Sequence, residues 1–580
     1  MSAELQRARS RQMIVFLLVC TAMLILLGRL YYWQVVRSSY LSQLANDEHI
    51  QNQVVNAPRG YIYDIHGHIL ATNVVRDDVY VAPLQFATDY TGDNAQAELA
   101  LLCSKLHQVL PQLSEDRLKQ LFDTHLASVR IAGPIEPAQS QQLRNLQLPD
   151  TFLEPRTLRV YPDGDLASQV LGYVPQDQGS GIYGMEQKYN TLLAGKPGSL
   201  TAETDLMGNP LTVGANSQQQ AVPGANLTLT IDGNIQYLVQ SELAQAVKNL
   251  KAKSGTVVIL NARTGAVVAM AGVPTFDPNN YSAALNEKGC VGTEDVYFNP
   301  ALYCAYEPGS IMKSVTMAAA LDQGLITPDT SFYDPGYLNF TDGTPTVTNW
   351  ADEGYGTETM TQVLEHSANV GAAYVAHNIL KVDRFYPYLQ RFGFGQSTGL
   401  EDPEAAGTYR DPSSPDWTQS DLARQSFGQS ILVTPLQMAM VYQTIANDGV
   451  MMQPYLVASV NNNGHITMTQ PEVKRRVISA RAAELLKGML VSAANFNKQA
   501  TFPGYSVAVK TGTATTQGIS DQQTVASMAG FLPASDPQYV ILVKLDRPQA
   551  TIFGGTAAGP LWKTIAQQLM WQYNVTPDQQ

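Results

Sequence analysis

The first strong pattern along the chain is apolar. From Met13 to Gly28 no charge interrupts the run; Arg29 breaks it, and Leu30, Tyr31, Tyr32, Trp33, Val35 and Val36 resume it. If Arg29 snorkels to the surface, the span reaches about Val36, near the ~20 residues a bilayer requires. Arg7, Arg9 and Arg11 precede it, and no small-residue cleavage site follows, unlike a signal peptide. The pattern predicts an uncleaved anchor with the arginines inside, the Tyr-Tyr-Trp cluster at the outer interface, and everything after Ser38 outside the cytoplasm.

Beyond the anchor the pattern divides in two. Residues from about Tyr40 to Gln220 mix short strand-like pieces with helical ones. "GYIYDIHGHILATN" (Gly60 to Asn73) reads as a hairpin turning at Gly67, and Ala95 to Leu110 reads as a helix. The polar stretch "NSQQQAVPGAN" (Asn216 to Asn226) marks a boundary. After it come "SGTVVILNARTGAVVAMAG", long helical patterns, and the terminal strand "YVILVKLDRP" (Tyr539 to Pro548). Helices between short strands, with late strands able to pair antiparallel, predict an α+β domain. In "YEPGSIMKSVTMAAALDQG", Pro308-Gly309 breaks the chain. Ile311, Met312, Val315, Ala318, Ala319 and Leu321 then recur at helical spacing, and Gly324 stops the helix.

Composition narrows the picture further. The 580 residues, 44% apolar and 15% charged, make two to four domains at ~150 residues each and can bury large cores. The net charge of −13 argues against a nucleic-acid partner. Asp64, His66 and His68 resemble metal ligands only weakly, and turn chemistry accounts for them better; neither a metal nor a cofactor is expected.

Ser310 and Lys313 stack on one helical face, which a capping serine and an exposed lysine would also produce. Two later stretches change the balance. "EHSANVG" gives Ser367-Ala368-Asn369 at the edge of a helical segment, and "VAVKTGTATT" gives Lys510-Thr511-Gly512-Thr513 on an alternating, strand-like run. Each is weak alone. In the order Ser-x-x-Lys, Ser-x-Asn, Lys-Thr-Gly they match the set that serves acyl transfer on a serine. A serine hydroxyl needs an adjacent base. Lys313 serves only if burial and a neighbouring positive charge, here Lys510, favour its neutral form. Ser367 is placed to relay a proton to the leaving amine. Asn369 would hold a substrate amide, while Lys510, Thr511 and Thr513 would meet a substrate carboxylate. Gly512 permits close backbone approach. The backbone amides of Ser310 and Thr513 would form an oxyanion hole, each donor worth about 3 to 4 kcal/mol.

With these motifs stand "APRGYIYDIHGHILATN", "RTLRVYPDGDLASQVLGYV", "YGMEQKYN", "TGAVVAMAGVPTFDPNNY", "EPGSIMKS", "GQSILVTPLQMAMVYQTIANDG", "VKTGTA" and "GGTAAGP". Across nearly its whole length the chain resembles the class B penicillin-binding proteins, monofunctional D,D-transpeptidases of bacterial peptidoglycan. The resemblance implies a cytoplasmic tail and transmembrane anchor (1–38) and an elongated mixed α/β pedestal (39–220). It also implies a penicillin-binding transpeptidase domain (221–580) with a five-stranded antiparallel sheet between helices. Ser310 would be acylated by a stem peptide ending in D-Ala-D-Ala, releasing D-alanine; a neighbouring strand's amine would then take the acyl group, and β-lactams would acylate the same serine. A polytopic membrane glycan polymerase is the implied partner. Overall length and a compact pedestal favour a division type over an elongation type. Ile311-Met312 stands where the family often has Thr-Phe, which touches packing more than chemistry.

Three other functions compete. A β-lactamase would have neither anchor nor pedestal. A β-lactam sensor would need a larger cytoplasmic segment. A non-catalytic scaffold for wall synthesis would have little reason to keep all three motifs. Of the four cysteines, Cys20 lies in the anchor and Cys103 has no evident mate. Cys290 and Cys304, outside the cytoplasm, are the candidate disulfide, with two free thiols as the alternative.

Overall fold

The computed structural model describes residues 2–41, 50–124, 126–176, 178–203, 217–290, 295–340, 345–400, 404–515 and 523–579. Asn216, at the start of the boundary stretch, residues 291–294 between the two outer cysteines, and Thr516 lie outside them.

The chain forms two compact units, residues 1–58 with 195–223 and residues 59–194 with 224–580. The first contains helix α1 (Ser2–Tyr31), continued by a π-helical turn from Tyr32 to Val36. Among the described residues, the span Arg9–Val36 is the one helix long and apolar enough to cross a membrane, with a mean hydropathy of 2.5. At its end the Arg37 guanidinium lies 5.9, 5.6 and 5.3 Å from the ring centroids of Tyr32, Trp33 and Tyr40. A cation on an aromatic cluster suits an interface where apolar rings meet water. The same unit pairs Ile50–Val55 with Gly198–Glu203, and that strand with Ser217–Gln219.

The second unit begins with the hairpin expected around Gly67. Ile62–Tyr63 pairs with the long strand Ile69–Val81, which also pairs antiparallel with Val129–Ile135 and Thr151–Val160. Helices Asp93–Val109 and Glu115–Phe122 close a small core of Val79, Val81, Leu102, Cys103, Leu106, Leu118 and Phe122. The hairpin turn is made by Asp64, whose Oδ1 accepts from the amides of His66 and His68 at 2.9 and 2.8 Å. Its Oδ2 takes the Gly233 amide at 3.1 Å. Among the described residues no three His, Cys, Asp or Glu side chains are grouped to hold a metal ion.

The larger part of this unit is built on five antiparallel strands: β1 (Ser254–Asn261), β2 (Val267–Val273), β3 (Ala508–Thr515), β4 (Thr524–Leu532) and β5 (Tyr539–Asp546). They lie in the order β2-β1-β5-β4-β3. Helix α2 (Gly233–Leu250) and the C-terminal helix Gly554–Gln572 cover one face, meeting Val257, Ile259, Ile541 and Val543 with Ile235, Val239, Leu243 and Trp562. Helices α3 (Lys313–Asp322), α4 (Pro435–Ala446) and α5 (Ala480–Asn497) fill the other, against Val258, Leu260, Val540 and Leu542. Burial on both faces is why β1 and β5 read as continuous apolar runs rather than alternations. At ~25 cal/mol per Å² of apolar area, such a doubly covered sheet is the main stabilising element of the unit. It also gives β3 a rigid edge beside α3.

Candidate active site

The turn before α3 is fixed from three sides. Tyr306 exchanges backbone hydrogen bonds of 2.9 Å with Val433, and the Glu307 carboxylate accepts from the Ser430 amide at 2.8 Å. Gly309, at φ +59°, donates to the Gly428 carbonyl at 3.0 Å. Residues Gly309–Met312 form a 3₁₀ turn, and the α-helix begins only at Lys313. Ser310 is therefore not the helix N-cap. It sits one turn earlier, half-buried, while Lys313 is wholly buried. The alternative of an exposed lysine on a capped helix is corrected accordingly. α3 is buried along nearly its whole length, and its first side chain has no route to solvent.

Strand β3 abuts this turn. A Cβ on Gly512 would stand 2.8 Å from the Pro308 carbonyl oxygen and 2.4 Å from Ser527 Oγ. Glycine at 512 is thus required by the serine turn itself, whatever approaches the strand from outside. One on Gly554 would meet the Gly512 carbonyl at 2.1 Å, and the Gly554 amide donates to Thr513 Oγ1 at 2.9 Å. In the register Lys510 opposes Ala529, Thr511 opposes Met528, Gly512 opposes Ser527 and Thr513 opposes Ala526. Period two puts Lys510 with Gly512 on the face toward Ser310.

Ser367 lies between helix Met360–Glu365 and helix Asn369–Tyr374, at φ +56°, a conformation uncommon for a residue with a side chain. The Lys313 ammonium donates to the Ser367 carbonyl, to Ser367 Oγ at 3.3 Å and to Asn369 Oδ1 at 2.8 Å. Lys510 Nζ donates to the same Ser367 Oγ at 3.0 Å and to the Thr511 carbonyl at 3.2 Å. Asn369 Nδ2 donates to the Thr348 carbonyl at 3.2 Å. Asn369 here holds the lysine and the loop, beside the substrate role expected of it. The structure thus links Lys313, Ser367, Asn369 and Lys510 by hydrogen bonds and sets Gly512 against the turn that carries Ser310, with Thr511 and Thr513 on the same strand. Cys290 and Cys304 are joined as a disulfide with Cα atoms 5.4 Å apart, and Cys103 is a buried free thiol.

Both lysines are displaced from their ordinary behaviour. Burial, and then the charge of Lys510, push Lys313 well below the usual lysine range, while Glu358 pulls the other way. Burial brings Lys510 down to about 7. A lysine neutral near physiological pH can take a proton from a neighbouring hydroxyl.

Gly428, Gly554 and Glu307 support the site without having been assigned a role from the sequence. The first two lie in stretches that carried only the resemblance, because a backbone contact leaves no mark in a side-chain pattern. Trp350 and Phe553, exposed and edge-to-face at 5.9 Å, were likewise not singled out.

Known proteins share this architecture. The penicillin-binding protein transpeptidase domain matches residues 255–570, and the penicillin-binding protein dimerisation domain matches residues 54–229. Penicillin-binding protein PbpB of Mycolicibacterium smegmatis is 34% identical over 472 residues, covering 78% of this chain and 70% of that one. Peptidoglycan D,D-transpeptidase FtsI of Escherichia coli K12 is 29% identical over 576 residues, covering 97% and 92%. Among solved structures, penicillin-binding protein 3 of Mycobacterium tuberculosis in complex with aztreonam is 28% identical with a TM-score of 0.67, covering 90% of this chain and 98% of that one. This chain belongs to the class B penicillin-binding proteins, with a dimerisation domain ahead of a transpeptidase domain, and it is membrane-anchored.

Proposed function

We propose that this chain is a serine-type peptidoglycan D,D-transpeptidase. The Ser367 hydroxyl shared by Lys313 and Lys510 carries the reading, because it joins a buried base to a route for the proton. Lys313 takes the Ser310 proton as Oγ attacks the carbonyl of the terminal D-Ala-D-Ala bond. The oxyanion is held by the amides of Ser310 and Thr513. The C–N bond breaks, the proton passes through Ser367 to the leaving amine, and D-alanine departs. A second stem peptide's amine then attacks the Ser310 ester, forming the cross-link and freeing the serine. Lys510, Thr511 and Thr513 bind the donor carboxylate, and β-lactams acylate Ser310 as substrate mimics.

The anchor crosses the membrane once with its arginines inside and the bulk of the chain outside, in the division 1–38, 39–220 and 221–580. A membrane glycan polymerase is the partner, and the septal role is favoured over the elongation role by length and pedestal size. Replacing residues 13–36 with an unrelated apolar helix tests the partner: penicillin binding should persist while growth support fails, and full growth would count against a specific contact.

The main test is labelling with fluorescent penicillin. Covalent label should map to the Ser310 peptide and vanish in Ser310→Ala. Label persisting in that variant would remove the assignment and reopen the scaffold reading.

A further inference from the structure

Behind the Ser367 loop lies a carboxyl that the three motifs do not include. Glu358, on the strand Gly356–Thr359, is almost completely buried, and its Oε2 is 2.9 Å from His366 Nδ1. His366 ends the helix Met360–Glu365 and immediately precedes Ser367. Its ring stacks on Tyr355 at 4.4 Å, meets Phe496 edge-on at 5.3 Å, and its amide donates to the Gln362 carbonyl at 2.8 Å. Four contacts therefore fix the residue before the left-handed backbone of Ser367.

Other charges act on the same carboxyl. Asp334 is also buried, and its oxygens accept from the Gly336 amide at 2.7 Å and Asn349 Nδ2 at 2.8 Å. Two buried acids near each other do not both ionise readily, and the better-solvated one keeps the charge. Burial first, then Asp334, raise the Glu358 carboxyl to about 7, against the hydrogen bond from His366. Its charge reaches Lys313, which Lys510 faces from β3. Tyr355, just ahead of that strand, is a further titratable group beside it.

We propose that Glu358 is a positioning residue for acylation, anchoring His366 at the head of the Ser367 loop and setting the charge that Lys313 experiences. The inference rests on the reading of Lys313 as the base. Its direction follows from charge. Lys313 works when neutral, and a Glu358 carboxylate favours its protonated form. Removing that charge lets Lys313 act at lower pH.

Acylation of the full-length, detergent-solubilised protein by fluorescent penicillin, measured from about pH 5 to about pH 9, tests this. Glu358→Gln should move the ascending limb of the rate profile down by about one pH unit. His366→Gln should move it the same way by less, since Glu358 then stays protonated over a wider range. Glu358→Asp, which keeps the charge, should return it toward wild type. The His366 variant keeps the test alive if Glu358→Gln does not fold. A limb unmoved in both Gln variants, with acylation lost in Lys313→Ala, would overturn the inference and leave the transpeptidase reading standing. Acylation surviving in Lys313→Ala would overturn both.

Discussion

Ser367 Oγ lies 3.0 Å from Lys510 Nζ and 3.3 Å from Lys313 Nζ, so one hydroxyl joins two buried lysine side chains carried by a strand edge and a helix start.

Ser367→Ala removes that hydroxyl but leaves Lys313 bonded to the 367 carbonyl and to Asn369. The base stays in place and the relay is lost. Acylation by penicillin should fall by roughly 10² to 10⁴, with the melting temperature little changed. Stopped-flow labelling gives the rate, and a value within about threefold of wild type would count against the relay.

Gly512→Ala puts a methyl group into space held by Pro308 and Ser527. The backbone of the serine turn has to move, at a cost of about 1 to 3 kcal/mol, and acylation should slow with it. Gly488→Ala is the matched control. It lies on α5 with nothing within 4 Å of a new Cβ, and should be neutral or stabilising by up to ~1 kcal/mol. Denaturant unfolding of both variants distinguishes a local clash from a general intolerance of side chains.

The Cys290–Cys304 bond closes a short loop just ahead of the nucleophile's turn, with a sequence separation of 14. Closing it contributes ~3 kcal/mol on a chain-entropy account. The restraint falls on the approach to Tyr306 and Gly309 more than on the sheet. Replacing both cysteines by serine should slow acylation while lowering the melting temperature by only a few degrees. Non-reduced mass spectrometry checks the premise, and free thiols at both positions would end it.

A pH-sensitive clasp joins the hairpin turn to α2. Asp232 caps α2 and accepts from Tyr573 at 2.6 Å, with His66 Nε2 at 3.0 Å. Burial pushes the Asp232 carboxyl up, but hydrogen bonds from Tyr573, His66 and the Ile235 amide outweigh it, so it lies below its ordinary value. His66 is raised, chiefly by its hydrogen bond to Asp232, with burial opposing. A depressed carboxyl stabilises above its unfolded pKa, and the contribution is lost as pH falls through the folded value. A raised imidazole stabilises below about 6.5, and the contribution is lost as pH climbs through its folded value. The melting difference between wild type and His66→Gln should therefore be present near pH 5.5 and fade as the pH climbs through the raised folded value of His66. It should be small, because the ring is largely exposed. A difference independent of pH would point to packing instead. Asp232→Ala should cost about 2 kcal/mol through the lost cap.

The sequence by itself determined the parts whose cause is local. The charge-free run from Met13 made α1, Gly67 made the hairpin, and the apolar runs of β1 and β5 announced strands. The order of Ser310-x-x-Lys313, Ser367-x-Asn369 and Lys510-Thr511-Gly512 pointed to the candidate site. Tertiary structure decided what depends on distance through space. It buried Lys313 rather than leaving it exposed, set Ser310 in a 3₁₀ turn ahead of α3, and placed Gly428 and Gly554 against backbone atoms far away in sequence. It also set Glu358 behind Ser367. A residue's spacing along a helix or strand fixes which face it occupies, but its charge state depends on solvent and on neighbours that only packing brings near.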